Sequence, residues 1–166
     1  MPTSRIAILM GSDSDFPRLE PCVATLKDFG ITPIVRVLSA HRTPVEACEF
    51  ASSARANGIE TIICAAGGAA HLAGVIAAHT TLPVIGIPLD NPPLGGLDAL
   101  LATVQMPGGV PVATVGVGRG GPINAALTAL RILGVRDSEM AAKLDAFVDT
   151  QHDRVLDKDA KLQDLI

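Results

Sequence analysis

His41 and Arg42 stand together in the run Ser39-Ala40-His41-Arg42-Thr43-Pro44, and their side chains invite chemistry. An imidazole can give and take a proton near neutral pH, and a guanidinium is a fixed cation with a planar fork of donors. Side by side, they suit a phosphorylated molecule on which a proton has to be moved. The apolar run Ile34-Val35-Arg36-Val37-Leu38 precedes them, and a helix start follows. Thr43 is its candidate N-cap, Pro44 suits the first helical position, and Glu46 completes a capping box. His41 and Arg42 then lie where a strand hands over to a helix N-terminus, whose unpaired N–H groups favour an anion. A plain surface capping turn would use the same residue types.

Other segments carry comparable features. Gly11-Ser12-Asp13-Ser14-Asp15 offers hydroxyls and N–H groups for a phosphate, with a carboxylate for ribose hydroxyls; it is also what an ordinary turn with an Asp N-cap looks like. It is not a Walker loop, because no Gly-Lys-Ser/Thr follows. Gly67-Gly68-Ala69-Ala70 lets backbone come close to a ligand, since nothing larger than a methyl intervenes. His71, just inside the next helix, is either a site residue or a structural histidine. Asp90-Asn91-Pro92-Pro93 suits a lid or wall. Gly116-x-Gly118-x-x-Gly121 matches the dinucleotide fingerprint formally, but no later strand supplies the ribose-binding acid about 20 residues on. An anion loop with Arg119 as a contact is the alternative use. His and Cys spacings fit no common metal motif.

Each segment must be positioned by an element. Arg5-Ile6-Ala7-Ile8-Leu9-Met10 is the near-continuous apolar run of a strand buried on both faces. A helix beginning between Asp15 and Pro17 puts Leu19, Cys22, Val23 and Leu26 on one face and stops at Gly30. A second strand covers roughly 32–38. The helix from Pro44 turns Ala47, Phe50, Ala51 and Ala54 inward and stops at Asn57-Gly58. Strands follow at 61–65, 84–88 and 111–115, with a small-residue helix to about His79 and another helix over 97–104. A later helix places Ile123, Ala126, Leu127 and Leu130 on one face. The next, over about 138–150, carries Met140, Leu144 and Phe147. The segment 151–166 is charged and weakly amphipathic, suited to packing on a neighbouring subunit or to fraying.

Alternating strands and helices predict one domain over 1–166: a three-layer α/β/α fold with a five-stranded parallel sheet and right-handed crossovers, flavodoxin-like or Rossmann-like, plus C-terminal helices. Ligands bind such sheets beyond the carboxyl ends of the strands. The polar and Gly-rich loops all follow strands, so the distinctive side chains gather at one end.

Composition bounds the partners. A net charge of −4 and only 2% aromatic residues argue against a nucleic-acid surface. No apolar run approaches the roughly 20 residues that span a bilayer, and the first residues lack a secretion signal. The expectation is a soluble cytoplasmic protein. Cys22, Cys48 and Cys64 are widely spaced and odd in number, as for buried reduced thiols. Many small apolar side chains permit close helix packing and leave faces for oligomerisation.

Five motifs together resemble the PurE family, the N5-carboxyaminoimidazole ribonucleotide mutases of purine synthesis. They are Met10-Gly11-Ser12-Asp13-Ser14-Asp15, Ser39 to Pro44, Gly67-Gly68-Ala69-Ala70-His71-Leu72, Gln105-Met106-Pro107-Gly108-Gly109-Val110-Pro111-Val112 and Asn124-Ala125-Ala126. Arg42 and the run Gly68 to Leu72 resemble the mutase class, rather than the sister class that carboxylates aminoimidazole ribonucleotide with CO2. The resemblance implies a flavodoxin-like fold, a homo-octamer, a small ribonucleotide substrate, and no metal, ATP or organic cofactor. It implies that Ser12, Asp15 and Arg42 bind the ribonucleotide with Ser14 and Ser39 nearby, and that His41 is the general acid and base. Asp90-Asn91-Pro92-Pro93 and Arg119-Gly120-Gly121-Pro122-Ile123 depart from the family pattern. Rival readings are direct carboxylation, a related carboxylase acting on another nucleotide, and a non-catalytic nucleotide-binding module.

Overall fold

The computed structural model describes residues 4–165 of the chain; Ile166, the end of the segment expected to pack or fray, lies outside them. Internal contacts divide the chain into two compact units, one running to Ala129 and one beginning at Leu130.

The first unit is built in strict alternation. It comprises β1 (Ile6–Met10), a 3₁₀ turn (Asp13–Asp15), α1 (Phe16–Asp28), β2 (Ile34–Val37), α2 (Pro44–Ser53) and β3 (Thr61–Gly67). α3 (Leu72–Ala78), β4 (Val84–Leu89), α4 (Leu97–Val104) and β5 (Ala113–Thr114) follow, and α5 (Gly120–Gly134) begins there. The five strands are parallel in the order β2-β1-β3-β4-β5, the flavodoxin-type order, whose switch point lies between β1 and β3.

Every residue of β1 is buried, as its uninterrupted apolar sequence requires of a central parallel strand. Ala7 and Leu9 join Ile62 and Cys64 in a core with Ala47 and Ala51 of α2 and with Leu72, Ala73 and Ile76 of α3. Alternation puts Ile6, Ile8, Met10, Ile63, Ile85 and Ile87 on the other face, where they too are buried. Pairing aligns the strand ends: Met10 lies beside Val37 and Ala65, and Ala65 lies beside Ile87. The loops after β1, β2, β3 and β4 therefore leave the sheet at nearly one level.

Three sequence expectations shift. β5 is two residues rather than five, because Pro111 has no N–H for the ladder and Gly116 turns the chain away at an edge. Gly120 and Gly121 belong to α5 rather than to the loop before it. A Cβ on Gly121 would overlap the Gly116 carbonyl oxygen, so this helix start requires its missing side chain. Besides Gly121 and Pro122 at its start, the buried residues of α5 are Ala125, Ala126, Ala129, Leu130 and Leu133, while Ile123 is 38% exposed.

In the second unit, α6 (Ser138–Gln163) starts under an Asp137 side chain that accepts from the Met140 amide at 3.1 Å. Met140 and Leu144 are buried. The helix runs well past the expected end at Thr150, with side chains from residue 148 to 165 exposed. Exposed helix is sustained there by residues of good propensity and by opposite charges four apart, such as Asp157 and Lys161. No helix among the described residues is long and apolar enough to cross a membrane.

Candidate active site

A pocket of about 280 Å³ opens at the carboxyl ends of the strands, at the switch point. The loop after β1 contributes Ser12, Ser14 and Asp15, that after β2 Ser39, His41 and Arg42, and that after β3 Gly67, Ala69 and His71. Nine of the ten residues singled out from sequence thus line one cavity. Gly68 is the tenth. It adopts a left-handed conformation (φ +61°), and its carbonyl accepts the Ala70 amide at 2.8 Å, so it shapes the loop rather than lining the pocket.

Ser39 organises the loop that carries the pair. Its side chain is buried, and Oγ accepts the backbone N–H of His41 at 3.3 Å and of Arg42 at 3.2 Å. The capping box expected at Thr43 is not formed. Thr43 Oγ1 turns back instead, accepting from the Ser39 amide at 2.8 Å and donating to the Ser39 carbonyl at 3.2 Å. A hydroxyl committed to closing this tight turn cannot also cap α2.

Arg42 crosses to the first loop, donating from Nη2 to the Gly11 carbonyl at 2.5 Å and from Nε to Ser39 Oγ at 3.5 Å. Ser12 and Ser14 hydroxyls lie 2.8 Å apart, within the same loop. Asp15 is held above the ordinary carboxylate range, chiefly because burial disfavours its charge; Arg18, a Ser12 backbone hydrogen bond and Arg42 pull the other way. Hydroxyls, a guanidinium and one carboxylate within reach of each other suit a phosphorylated sugar.

Across the pocket, His41 Nε2 and His71 Nδ1 lie 2.8 Å apart. Of the two uses the sequence leaves for His71, the ring lies in the pocket, against His41. One ring must donate and the other accept, so the pair can hold a proton between two nitrogens.

Asn91, in the loop after β4 that suits a lid or wall, lines the same pocket, although its residue type alone assigns it no chemistry. The signal available was its position after a strand at the site end of the sheet. Arg119 and Gly118 do not reach this pocket; they line a separate cavity of about 630 Å³ with Pro17, Pro21 and Ile123. Cys22 and Cys64 are buried, and burial pushes both thiols up, that of Cys22 to about 12, which leaves them protonated and unreactive. Among the described residues no group of three or more His, Cys, Asp or Glu could hold a metal ion.

The arrangement is that of an open α/β protein built to hold a small anionic ligand beside a proton-handling histidine. The sequence pattern of the AIR carboxylase family matches residues 5–154, and the chain belongs to that family. It is 51% identical over 161 residues to the N5-carboxyaminoimidazole ribonucleotide mutase of Mycobacterium tuberculosis (strain CDC 1551 / Oshkosh), covering 97% of this chain and 91% of that protein. With the mutase of the same name from Pyrococcus horikoshii it shares 47% over 160 residues, covering 96% and 89%. The crystal structure of Treponema denticola PurE superposes with a TM-score of 0.86 at 30% identity, covering 95% of this chain and 97% of that one.

Proposed function

We propose that the protein converts N5-carboxyaminoimidazole ribonucleotide to 4-carboxy-5-aminoimidazole ribonucleotide, an isomerisation of purine biosynthesis. The observation that carries the reading is the histidine pair, His41 with His71 at 2.8 Å, facing an Arg42-lined anion site in a chain whose relatives bear that enzyme name. His41 as imidazolium protonates the carbamate nitrogen; the C–N bond breaks, its electron pair stays on nitrogen, and CO2 is released. Carbon 4 of the ring then attacks the trapped CO2. Neutral His41 removes the proton from carbon 4 and returns to its starting state. One imidazole serves both steps, giving its proton in the first and taking one back in the second.

Arg42, with Ser12 and Ser14, holds the phosphate by charge-assisted hydrogen bonds. Asp15 takes ribose hydroxyls. Ser39 fixes the backbone that presents His41 and Arg42. Gly67 and Ala69, bare of bulk, leave room for ring and CO2, which have to stay in contact for recapture. His71 shares the proton with His41.

The family match runs from the first compact unit into the second, as far as residue 154, which supports reading the chain as one catalytic domain. We place it in the cytoplasm as a homo-octamer without cofactor. Exposed Leu97, Leu101 and Val104, at one-turn spacing on α4, support burial against another copy. Sedimentation equilibrium at an eightfold mass meets this expectation, and a monomer overturns it.

The test of the activity uses purified protein without ATP, metal or added bicarbonate. Supplied with N5-carboxyaminoimidazole ribonucleotide, the wild type yields the 4-carboxylated product, followed by ultraviolet absorbance, and His41→Asn does not. Turnover of aminoimidazole ribonucleotide only on adding bicarbonate would assign the direct carboxylase instead.

A further inference from the structure

Asn91 sits half-buried at the edge of the pocket, held from outside by α1. Arg18 Nη1 donates to Asn91 Oδ1, and Arg18 Nε lies 3.6 Å from Asp90 Oδ1. A guanidinium has donors only, so its partner on Asn91 has to be the carbonyl oxygen. That fixes the amide's orientation and leaves the NH2 group facing the other way, toward Gly67. A Cβ built on Gly67 would overlap Asn91 Nδ2, so the amide occupies the space that a side chain on β3 would fill. The pocket is therefore given an oriented pair of N–H donors at its β4 end, supplied by a loop that departs from the family pattern.

Strand order says what part of a ligand meets them. Arg42 follows β2 and Asn91 follows β4, with β1 and β3 between. The Arg42 guanidinium reaches the Gly11 carbonyl at the end of β1, so at about 4.8 Å per strand it lies on the order of 10 Å from the β4 loop, the scale of a nucleotide laid from phosphate to base. With the phosphate at Arg42, the ring and its carboxyl group come to the β3–β4 end, beside His41 and His71. A carboxylate there needs donors, and the Asn91 NH2 group beside Gly67 offers them.

We infer that Asn91 binds the carboxylate of the imidazole ribonucleotide through its side-chain NH2, and that Arg18 is the positioning residue that fixes the amide. This rests on the function proposed above. Asp90 completes the device by holding the guanidinium from its other edge.

The experiment compares binding of two nucleotides by calorimetry: 4-carboxy-5-aminoimidazole ribonucleotide and its analogue without the carboxyl group, aminoimidazole ribonucleotide. Asn91→Ala weakens the carboxylated nucleotide about tenfold or more and leaves the other within about twofold. Asn91→Asp, which sets a negative charge against the carboxylate, weakens it further. Arg18→Met gives part of the same selective loss, and Arg18→Lys restores some of it. Retained binding of aminoimidazole ribonucleotide certifies that each variant is folded. Equal loss of both nucleotides, or no loss of either, overturns the assignment to Asn91 while the wild-type assay still stands. A wild type that binds neither nucleotide overturns the function itself and this inference with it.

Discussion

His41 Nε2 and His71 Nδ1 face each other at 2.8 Å with their rings edge to face at 87°, although 30 residues separate them in the chain. They meet because β2 and β3 flank β1, so their loops open on the same crevice. A hydrogen bond between two imidazoles needs one nitrogen to carry the proton and the other to accept it, so the two rings take complementary roles.

Replacing His41 by Asn removes the acid and base while keeping a polar side chain. Turnover falls on the order of a hundredfold to ten-thousandfold, and nucleotide affinity changes little. Because His41 is exposed, its melting temperature stays near that of the wild type. Parallel kinetics and thermal melts check this.

His71→Phe keeps a ring on α3's N-terminal side but deletes the nitrogen. The expected loss in kcat is on the order of tenfold, with a displaced pH profile, as when a group orienting a functional imidazole is removed. An unchanged profile with reduced stability alone would make His71 a packing residue.

Ser39→Ala removes the acceptor for two backbone N–H groups. A cost of about 1–2 kcal/mol in unfolding free energy is expected, with kcat and KM both impaired, since His41 and Arg42 lose the same support. Urea denaturation and steady-state kinetics measure the two effects separately.

Asp15→Asn trades affinity for stability. The folded-state pKa of Asp15 lies above its ordinary 3.8, so the folded chain holds this proton more tightly than the unfolded one. The stability contributed by this group is present at low pH and is lost as pH rises through the folded pKa. At neutral pH the variant melts higher than the wild type, and the difference disappears in acid below the ordinary carboxylate pKa, while KM for the ribonucleotide rises. Melts between pH 3 and 7 read the sign.

Gly86→Ala serves as a control away from the site. An added Cβ overlaps the Thr103 methyl and sits 3.1 Å from Val112 Cγ1, and β4 is fully buried there. Overpacking costs about 1–3 kcal/mol, with kcat unaffected at temperatures where the variant is folded.

The buried strands were the most legible part of the chain. β1 and β3 read directly because each is apolar without alternation, which only a two-sided core satisfies. α4 read equally well between its flanking loops. Thr43 misled, since cap and turn use the same hydroxyl and only the fold shows that Ser39 claims it. α5 misled through composition: its alanines turn inward, where close packing rewards small size, and the larger Ile123 faces out. Among site residues, the charged and titratable ones declared themselves by type. Asn91 did not, because an amide is informative only once its partners, Arg18 and the space over Gly67, are in place.

The common level at which the first four loops leave the sheet sets where this chain can change length. One residue added inside β2 would advance His41 by about 3.3 Å and turn alternate side chains to the opposite face. Its meeting with His71 would be lost. The turns at the far end of the sheet, such as Asn57-Gly58, bear no such relation to the pocket. Insertions, tags and natural variation in length belong there, and a library of inserted segments would recover active chains from that rim alone.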